Sequence, residues 1–397
     1  MTESRADLVD AAESDRVAEH APRSGRLDAL DGYRALAALF VVLTHVGFQT
    51  GAALRGPYAG LLSRLDIGVT IFFLLSGFLL SRPFFVSHHR GSDPQPLRVY
   101  AWHRALRILP GYWVAVVGAM LLMPANHGRP PSEWVVQVLV LQTYVPDGLI
   151  DGLTQMWSLG TEIAFYVALP FVGRWLLRRR AEDEAGRWRR QWRLLLVLVV
   201  VAQLWRAYAY TRPEGPGLLA YWLPNYLDWF AFGMTMAALR SRSGRSFGRF
   251  SDWLVGVSSF PGVCWTFAAA AFWVSTTSIA GPFDLAVPSV SQAFAKHLLY
   301  GIAAFFALLP VAVGPGTDRL TALWSRRVPA WLGTVSYGIF LWNMTLLAVA
   351  LAITGIPAFT GRFWQVLSVE LVLTVSVAAA SWYLVERPAM RLRRFVR

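Results

Sequence analysis

The segment 67–86, IGVTIFFLLSGFLLSRPFFV, decides the fold class, because its twenty residues include a single charged side chain, Arg82. A helix rises about 1.5 Å per residue, so roughly 20 apolar residues cross the roughly 30 Å hydrocarbon core of a bilayer. A helix that is apolar on every side is typical of a membrane span. Residues 67–86 therefore predict a transmembrane helix.

Similar apolar blocks recur along the 397 residues, of which 55% are hydrophobic and 15% charged, and this composition excludes a soluble enzyme. The predicted spans are 33–50, 67–86, 108–124, 157–177, 193–211, 218–239, 252–277, 295–314, 331–355 and 364–385. A further apolar stretch, 134–145, is too short to cross and predicts a re-entrant or interfacial segment. The sequence therefore predicts an all-α polytopic integral membrane protein with about ten transmembrane helices.

The net charge of +13 indicates orientation rather than a ligand. Arginines concentrate in alternate connecting segments such as 82–107, 174–193 and 240–249, whereas 278–294 has none. The positive-inside rule then places both termini in the cytosol. We expect a multi-pass protein of the cell membrane, of the bacterial plasma membrane type, and no nucleic-acid partner.

The chain divides into three predicted regions. Residues 1–26 are polar and charged and predict a disordered cytosolic leader, 27–390 form a single transmembrane domain, and 391–397 form a basic cytosolic tail. The single cysteine, Cys264, excludes an intramolecular disulfide and a cysteine metal site, and we expect no metal.

Ionisable side chains inside predicted spans are candidates for function, because each is costly there. Arg34 and His45 lie in the first span, eleven residues or about three helical turns apart, and so face the same side. The alternative is structural: Arg34 reaches lipid phosphates and His45 bonds a neighbouring helix.

Glu162 lies about a turn and a half into the fourth predicted span, at a depth that His45 can share. A carboxylate beside an imidazole orients it and fixes its tautomer. Glu162 is therefore a catalytic candidate with His45, although it can instead bond the free amides at the start of its own helix.

Arg104 and Arg107 lie three residues apart and share one helix face at the predicted membrane edge. Paired guanidinium groups bind phosphates well. The alternative is an ordinary positive-inside anchor.

Several motifs occur together and in order along the chain. They are Leu30-Asp31-Gly32-x-Arg34 with His45, 68–79 (GVTIFFLLSGFL), Arg104-x-x-Arg107 with Pro110, Trp157-Ser158-Leu159-x-x-Glu162 with Tyr166, 336–342 (SYGIFLW) and Glu386-Arg387-Pro388. In this order the chain resembles the membrane acyltransferase 3 family from about residue 27 onward.

The resemblance implies an enzyme that moves an acyl group, often acetyl, from cytosolic acyl-CoA to a hydroxyl of a glycan, glycolipid or natural product. It implies functional roles for Arg34 and His45, and it extends to Arg104, Arg107 and Glu162. We expect the CoA phosphates at Arg34, Arg104 and Arg107. The residues of the Glu162 motif expected to bind substrate are Trp157, Ser158 and Tyr166.

The sequence departs from the family pattern at two positions. Asn343 follows Phe-Leu-Trp where many relatives have histidine, so no second catalytic histidine is expected there. Thr70 stands where an acidic residue is common, which weakens a role for that position.

Two mechanisms remain open at this point. His45 acts as general base on the acceptor hydroxyl while Glu162 holds its imidazole, or His45 carries the acyl group as a covalent intermediate. The competing hypothesis is a transporter or flippase in which His45, Glu162 and Arg34 line a proton or substrate pathway. A degenerate relative acting as a sensor is a third possibility, against which the intact Arg34, His45 and Glu162 argue.

Overall fold

The computed structural model describes residues 25–90, 92–93, 95–177, 184–241, 248–284 and 286–396. The predicted leader lies outside these residues apart from its last two. Every regular element in the described part is helical, which confirms the predicted all-α class.

Fifteen α-helices order the described part of the chain. They are α1 (Gly25–Gln49), α2 (Ala59–Arg64), α3 (Ile67–Arg90), α4 (Leu97–Leu122), α5 (Pro131–Val138), α6 (Trp157–Leu177), α7 (Glu184–Tyr210), α8 (Leu227–Arg240), α9 (Arg249–Ser258), α10 (Pro261–Ser275), α11 (Val290–Ala312), α12 (Arg319–Trp324), α13 (Arg327–Thr354), α14 (Phe363–Ser381) and α15 (Arg387–Arg391). A π-helical turn, Trp382–Glu386, joins α14 to α15, and a 3₁₀ turn, Leu392–Phe395, follows α15.

Within the described residues, eight helices are long and apolar enough to cross a membrane. A ninth span exists if α9 and α10 count as one, although they meet at 98°. Pro261 opens α10, and because proline lacks the amide hydrogen that would continue α9, the chain turns at this point. The protein is therefore a multi-pass membrane protein, as predicted.

Two predicted segments take shorter forms. Segment 218–239 begins with two 3₁₀ turns, Gly217–Tyr221 and Leu223–Tyr226, and only then enters the 14-residue helix α8. Segment 134–145 contributes to the eight-residue α5 and the turns after it, which is too short to cross a bilayer, as expected. The indole of Trp113 on α4 donates to the Val138 carbonyl at 3.1 Å and fastens α5 to α4.

Helix α1 lies at the centre of the bundle, where it packs most extensively against α13 and also against α3 and α12. Glycines make these close crossings possible. A Cβ atom on Gly333 would lie 2.0 Å from the Asp31 carbonyl oxygen, and one on Gly68 would lie 2.3 Å from that of Ala37. Small residues of this kind let membrane helices approach backbone to backbone. The packing directs the polar residues of α1 into the protein.

Candidate active site

Two cavities lie along α1, towards its opposite ends. The arginine cavity, of about 90 Å³, lies on the Arg34 side; its polar lining residues are Arg34, Ser76, Arg104, Arg107, Ser158, Glu162, Tyr166, Ser336 and Tyr337. The histidine cavity, of about 780 Å³, lies on the His45 side and is lined by residues of α1, α3, α11 and α13 and by the loops after α4 and before α6. Val69 and Phe340, which we call the apolar pair, line both cavities.

The arginine cavity brings together the three arginines at which the family resemblance led us to expect the CoA phosphates. Arg34 donates from Nη1 to Asp31 Oδ1 at 3.1 Å. Arg107 Nη1 lies 4.0 Å from Glu386 Oε2, and its guanidinium lies 5.1 Å from the centre of the Trp382 ring. The guanidinium groups of α1 and α4 thus face one space, where an anion can bind several of them together.

The π-helical turn explains how Glu386 reaches this arginine. Its carboxylate is 1% exposed, and Ser381 Oγ donates to Oε1 at 3.2 Å. A π turn adds one residue to the helical turn and so rotates the side chains that follow it. Glu386, the first residue of the Glu386-Arg387-Pro388 motif, therefore forms an ion pair with Arg107.

Glu162 lies in the arginine cavity and not beside His45. Its Oε1 accepts hydrogen bonds from the hydroxyls of Ser76, on α3, and Tyr166, one turn later on α6. It also interacts electrostatically with Arg34 and Arg104. The expectation that Glu162 orients the imidazole of His45 is therefore corrected, because that carboxylate is engaged on the other side of the apolar pair.

Asn343 on α13 takes the orienting position instead. His45 Nδ1 lies 2.6 Å from Asn343 Oδ1, and Asn343 Nδ2 donates to the Phe340 carbonyl at 2.6 Å. Because the amide nitrogen is held by that carbonyl, the amide oxygen faces the imidazole and Nδ1 must carry the hydrogen. Nε2 then keeps its lone pair, and within the described residues no hydrogen bond occupies it. His45 is thus held in the tautomer that a general base requires.

The three predicted substrate-binding residues do not form one subsite. Trp157 lines the histidine cavity, whereas Ser158 and Tyr166 line the arginine cavity. Ser158 Oγ donates to the Gln155 carbonyl at 3.1 Å, and Tyr166 bonds Glu162.

A charged wall of the histidine cavity was not anticipated from the sequence. Lys296, the only lysine in the chain, donates from Nζ to Asp66 Oδ2 at 2.7 Å, and the Tyr300 hydroxyl donates to Asp66 Oδ1. The adjacent His297 turns away from the cavity and accepts from Arg206 Nη2 at 2.7 Å. A lone lysine inside an otherwise apolar span was the sequence signal that could have located this wall.

The described residues include no group of three or more histidine, cysteine, aspartate or glutamate side chains placed to hold a metal ion. The groups that the two cavities offer to a substrate are the imidazole of His45, the guanidinium groups of the three arginines and the polar side chains around them.

Comparisons with known proteins agree with the motifs. The family model described as an acyltransferase domain, acyltransferase 3, matches residues 27–386. Nodulation protein 10 of Rhizobium leguminosarum bv. viciae is 28% identical over 93% of this chain and 95% of its own length. Exopolysaccharide production protein ExoZ of Rhizobium meliloti is 25% identical over 82% of this chain and 90% of its own length.

Peptidoglycan O-acetyltransferase OatA of Listeria monocytogenes is 23% identical over 91% of this chain. The chain spans about half of that relative, 55% of its length. No solved structure matches the chain.

The family match covers the helices that carry both cavities, from the start of α1 to the π turn that holds Arg107. It includes every candidate residue of the site. The chain belongs to the acyltransferase 3 family of membrane acyltransferases.

Proposed function

We propose that the protein moves an acyl group, with acetyl as the first candidate, from cytosolic acyl-CoA to a hydroxyl of a glycan, glycolipid or secondary metabolite. The observation that carries the proposal is that Val69 and Phe340 line both cavities, one with three arginines and the other with His45. A donor that enters on the arginine side can present its thioester to the imidazole on the other side.

The donor binds through its phosphates. Arg34, Arg104 and Arg107 bind the diphosphate, since guanidinium groups bind phosphate oxygens in pairs. The pantetheine arm extends between Val69 and Phe340 towards His45. Glu162 organises the entry by its electrostatic interaction with Arg34 and Arg104.

The acceptor binds in the histidine cavity. Its volume of about 780 Å³ lies within the roughly 300–1,000 Å³ of typical small-molecule sites. Asp66 and Lys296 supply hydrogen-bonding groups that suit a polyhydroxylated acceptor. The names of two relatives, an exopolysaccharide production protein and a peptidoglycan O-acetyltransferase, support a glycan and an acetyl group.

In the direct mechanism, His45 Nε2 takes the proton of the acceptor hydroxyl as its oxygen attacks the thioester carbonyl carbon. The tetrahedral intermediate then expels the CoA sulfur, the carbon–sulfur bond breaks, and the imidazolium returns the proton to the thiolate. The products are the acyl ester and free CoA. Asn343 keeps Nδ1 protonated throughout.

The relay mechanism uses the same lone pair as nucleophile. Nε2 attacks the thioester carbonyl carbon, the carbon–sulfur bond breaks, and CoA leaves as the thiolate from an acyl-imidazolium. The acceptor hydroxyl then attacks the acyl carbon, the bond from that carbon to Nε2 breaks, and the hydroxyl proton is released to the thiolate. Rapid quench with radiolabelled acetyl-CoA and no acceptor distinguishes the two. Label bound to wild-type protein and absent from His45→Ala supports the relay, whereas unlabelled protein supports direct transfer.

The enzymatic proposal is tested on membranes that contain the full chain, supplied with labelled acetyl-CoA. We expect release of free CoA thiol and label in an extracted glycan, lipid or metabolite. His45→Ala should lower transfer by at least about 10²-fold, the scale of a general base. His127→Ala, a change at an exposed histidine in the loop after α4, is the matched control and should retain activity.

Two results would contradict the proposal. Full activity in His45→Ala would remove the imidazole from the mechanism. A purified protein that consumes no thioester but moves solute across proteoliposomes would support the transporter hypothesis instead.

A further inference from the structure

The arginine cavity is too small for the whole donor. Its volume of about 90 Å³ is well below the roughly 300–1,000 Å³ of typical small-molecule sites. Acyl-CoA has an adenosine 3′-phosphate beyond its diphosphate. If the proposed donor is correct, this nucleotide must bind elsewhere on the protein.

A second depression, which we call the C-terminal groove, lies on a neighbouring face of α4. It is lined by Arg98, Ala101, Trp102, Ala105, Phe395 and Val396 and has a volume of about 560 Å³. The four α4 residues are spaced i, i+3, i+4 and i+7, so they share one helix face. The two alanines leave the floor between the aromatic rings open.

Two aromatic rings border the groove. The Trp102 indole donates from Nε1 to the Leu392 carbonyl at 3.1 Å, which fixes both the ring and the tail. The Phe395 ring is 67% exposed and has the Arg394 guanidinium 5.1 Å from its centre. Exposed aromatic rings beside arginine are a platform on which a nucleobase stacks.

Arginine side chains lie between the C-terminal groove and the arginine cavity. Arg393, on the same 3₁₀ turn as Phe395, interacts electrostatically with Arg104 and with Arg107. The buried Nε atoms of Arg104 and Arg393 have no hydrogen-bond partner within the described part of the chain. An anion with several phosphates would offset the repulsion between Arg393 and the two arginines of α4.

We propose that the C-terminal groove is the nucleotide subsite of the donor. The adenine ring stacks on Trp102 and Phe395, Arg98 binds the 3′-phosphate, and Arg393 and Arg104 guide the diphosphate towards the arginine cavity. The inference rests on the proposed use of acyl-CoA.

The test compares acetyl-CoA with acetyl-pantetheine, a thioester that lacks the nucleotide and the phosphates. In Phe395→Ala and in Arg98→Ala, we expect KM for acetyl-CoA to rise about tenfold, because one stacking or phosphate contact is lost. The kcat with either donor, and KM for acetyl-pantetheine, should stay at the wild-type values. Adenosine 3′,5′-bisphosphate should inhibit the wild type competitively and each variant about tenfold more weakly.

Trp102→Ala is paired with Trp113→Ala as its control. Both tryptophans lie on α4 and both donate from the indole to a backbone carbonyl, but Trp113 lies outside the groove. Only Trp102→Ala should raise KM for acetyl-CoA selectively. Equal effects on the two donors, or none on acetyl-CoA, would overturn the subsite. A wild type that consumes neither thioester would overturn the proposed function itself.

Discussion

At the scale of single residues, Asn343 decides the chemical state of His45. An amide oxygen accepts a hydrogen bond from Nδ1 and cannot take up its proton, so the imidazole is oriented without a buried negative charge. A carboxylate in the same place would have to be buried at considerable cost. An amide therefore suits a site that is enclosed by apolar helices.

Replacing Asn343 by Ala should lower kcat by about 10²-fold, because the imidazole loses the contact that selects its tautomer and orientation. The KM for acetyl-CoA should remain unchanged, since Asn343 lies outside the arginine cavity. The measurement is the initial rate of thiol release over a range of donor concentrations. Asn343→Asp restores an acceptor oxygen and should recover part of kcat. A rise in KM with unchanged kcat in Asn343→Ala would contradict the orienting role.

Sequence spacing was sufficient to pair Arg104 with Arg107 on one helix face, and the family resemblance added Arg34 to them. It was insufficient for Asn343, since the partner of a side chain on another helix depends on helix packing. The same limit applies to Glu370 on α14. It is 0% exposed, and both of its oxygens lack hydrogen-bond partners within the described residues.

At the scale of helices, α3 and α8 form one of the closest crossings. A Cβ atom on Gly233 would lie 2.1 Å from the Leu74 carbonyl oxygen, and one on Gly77 would lie 2.3 Å from that of Phe230. Because the obstacles are backbone atoms, the helices must separate to admit a methyl group. This crossing supports Ser76, and through it Glu162.

Gly233→Ala should lower the thermal midpoint of the detergent-solubilised protein, with a cost of about 1–3 kcal/mol for the forced separation. Gly256→Ala is the matched control, since it lies in a helix where an added Cβ meets nothing within 4 Å. Its midpoint should be unchanged or slightly higher, because alanine favours helix more than glycine does. Equal midpoints for the two variants would refute the close crossing.

Apolar block length predicted the long helices well, since a block of about 20 residues has few alternatives in a bilayer. It failed to predict the late start of α8 and the 98° bend between α9 and α10. Both breaks occur near prolines, Pro224 and Pro261, whose local effect depends on what can satisfy the freed carbonyls. Which groups satisfy those carbonyls depends on the neighbouring helices, and the local sequence does not specify it.

At the scale of the whole molecule, one buried ionic cluster connects α7, α8 and α11. Arg206 Nη2 lies 2.9 Å from Asp228 Oδ2, 2.7 Å from His297 Nδ1 and 2.7 Å from the Asn225 carbonyl oxygen, and its two hydrogens are shared among these three acceptors. Arg206 is 1% exposed. Asp228 is an acidic residue within the predicted span 218–239, and Arg206 is its ion-pair partner.

Asp228→Ala should destabilise the folded protein by about 3–5 kcal/mol, because it leaves the buried Arg206 charge uncompensated. Replacing both residues by leucine should cost less than the single change. The measurement is thermal unfolding in detergent. Glu214→Ala removes the carboxylate of an exposed pair with Arg212 and should leave the midpoint nearly unchanged. A single variant as stable as the wild type would contradict the role of the cluster.

The apolar pair has a consequence for the leakage of ions and protons across the membrane. Val69 and Phe340 separate two polar spaces that approach each other along α1. A narrow apolar passage excludes water and with it ions and protons. We therefore expect the pair to hinder the passage of ions and protons when no donor lies between the two side chains. Proteoliposomes with Phe340→Ala should lose an imposed pH gradient faster than the wild type, measured with an entrapped pH-sensitive dye; equal decay would show that the barrier lies elsewhere.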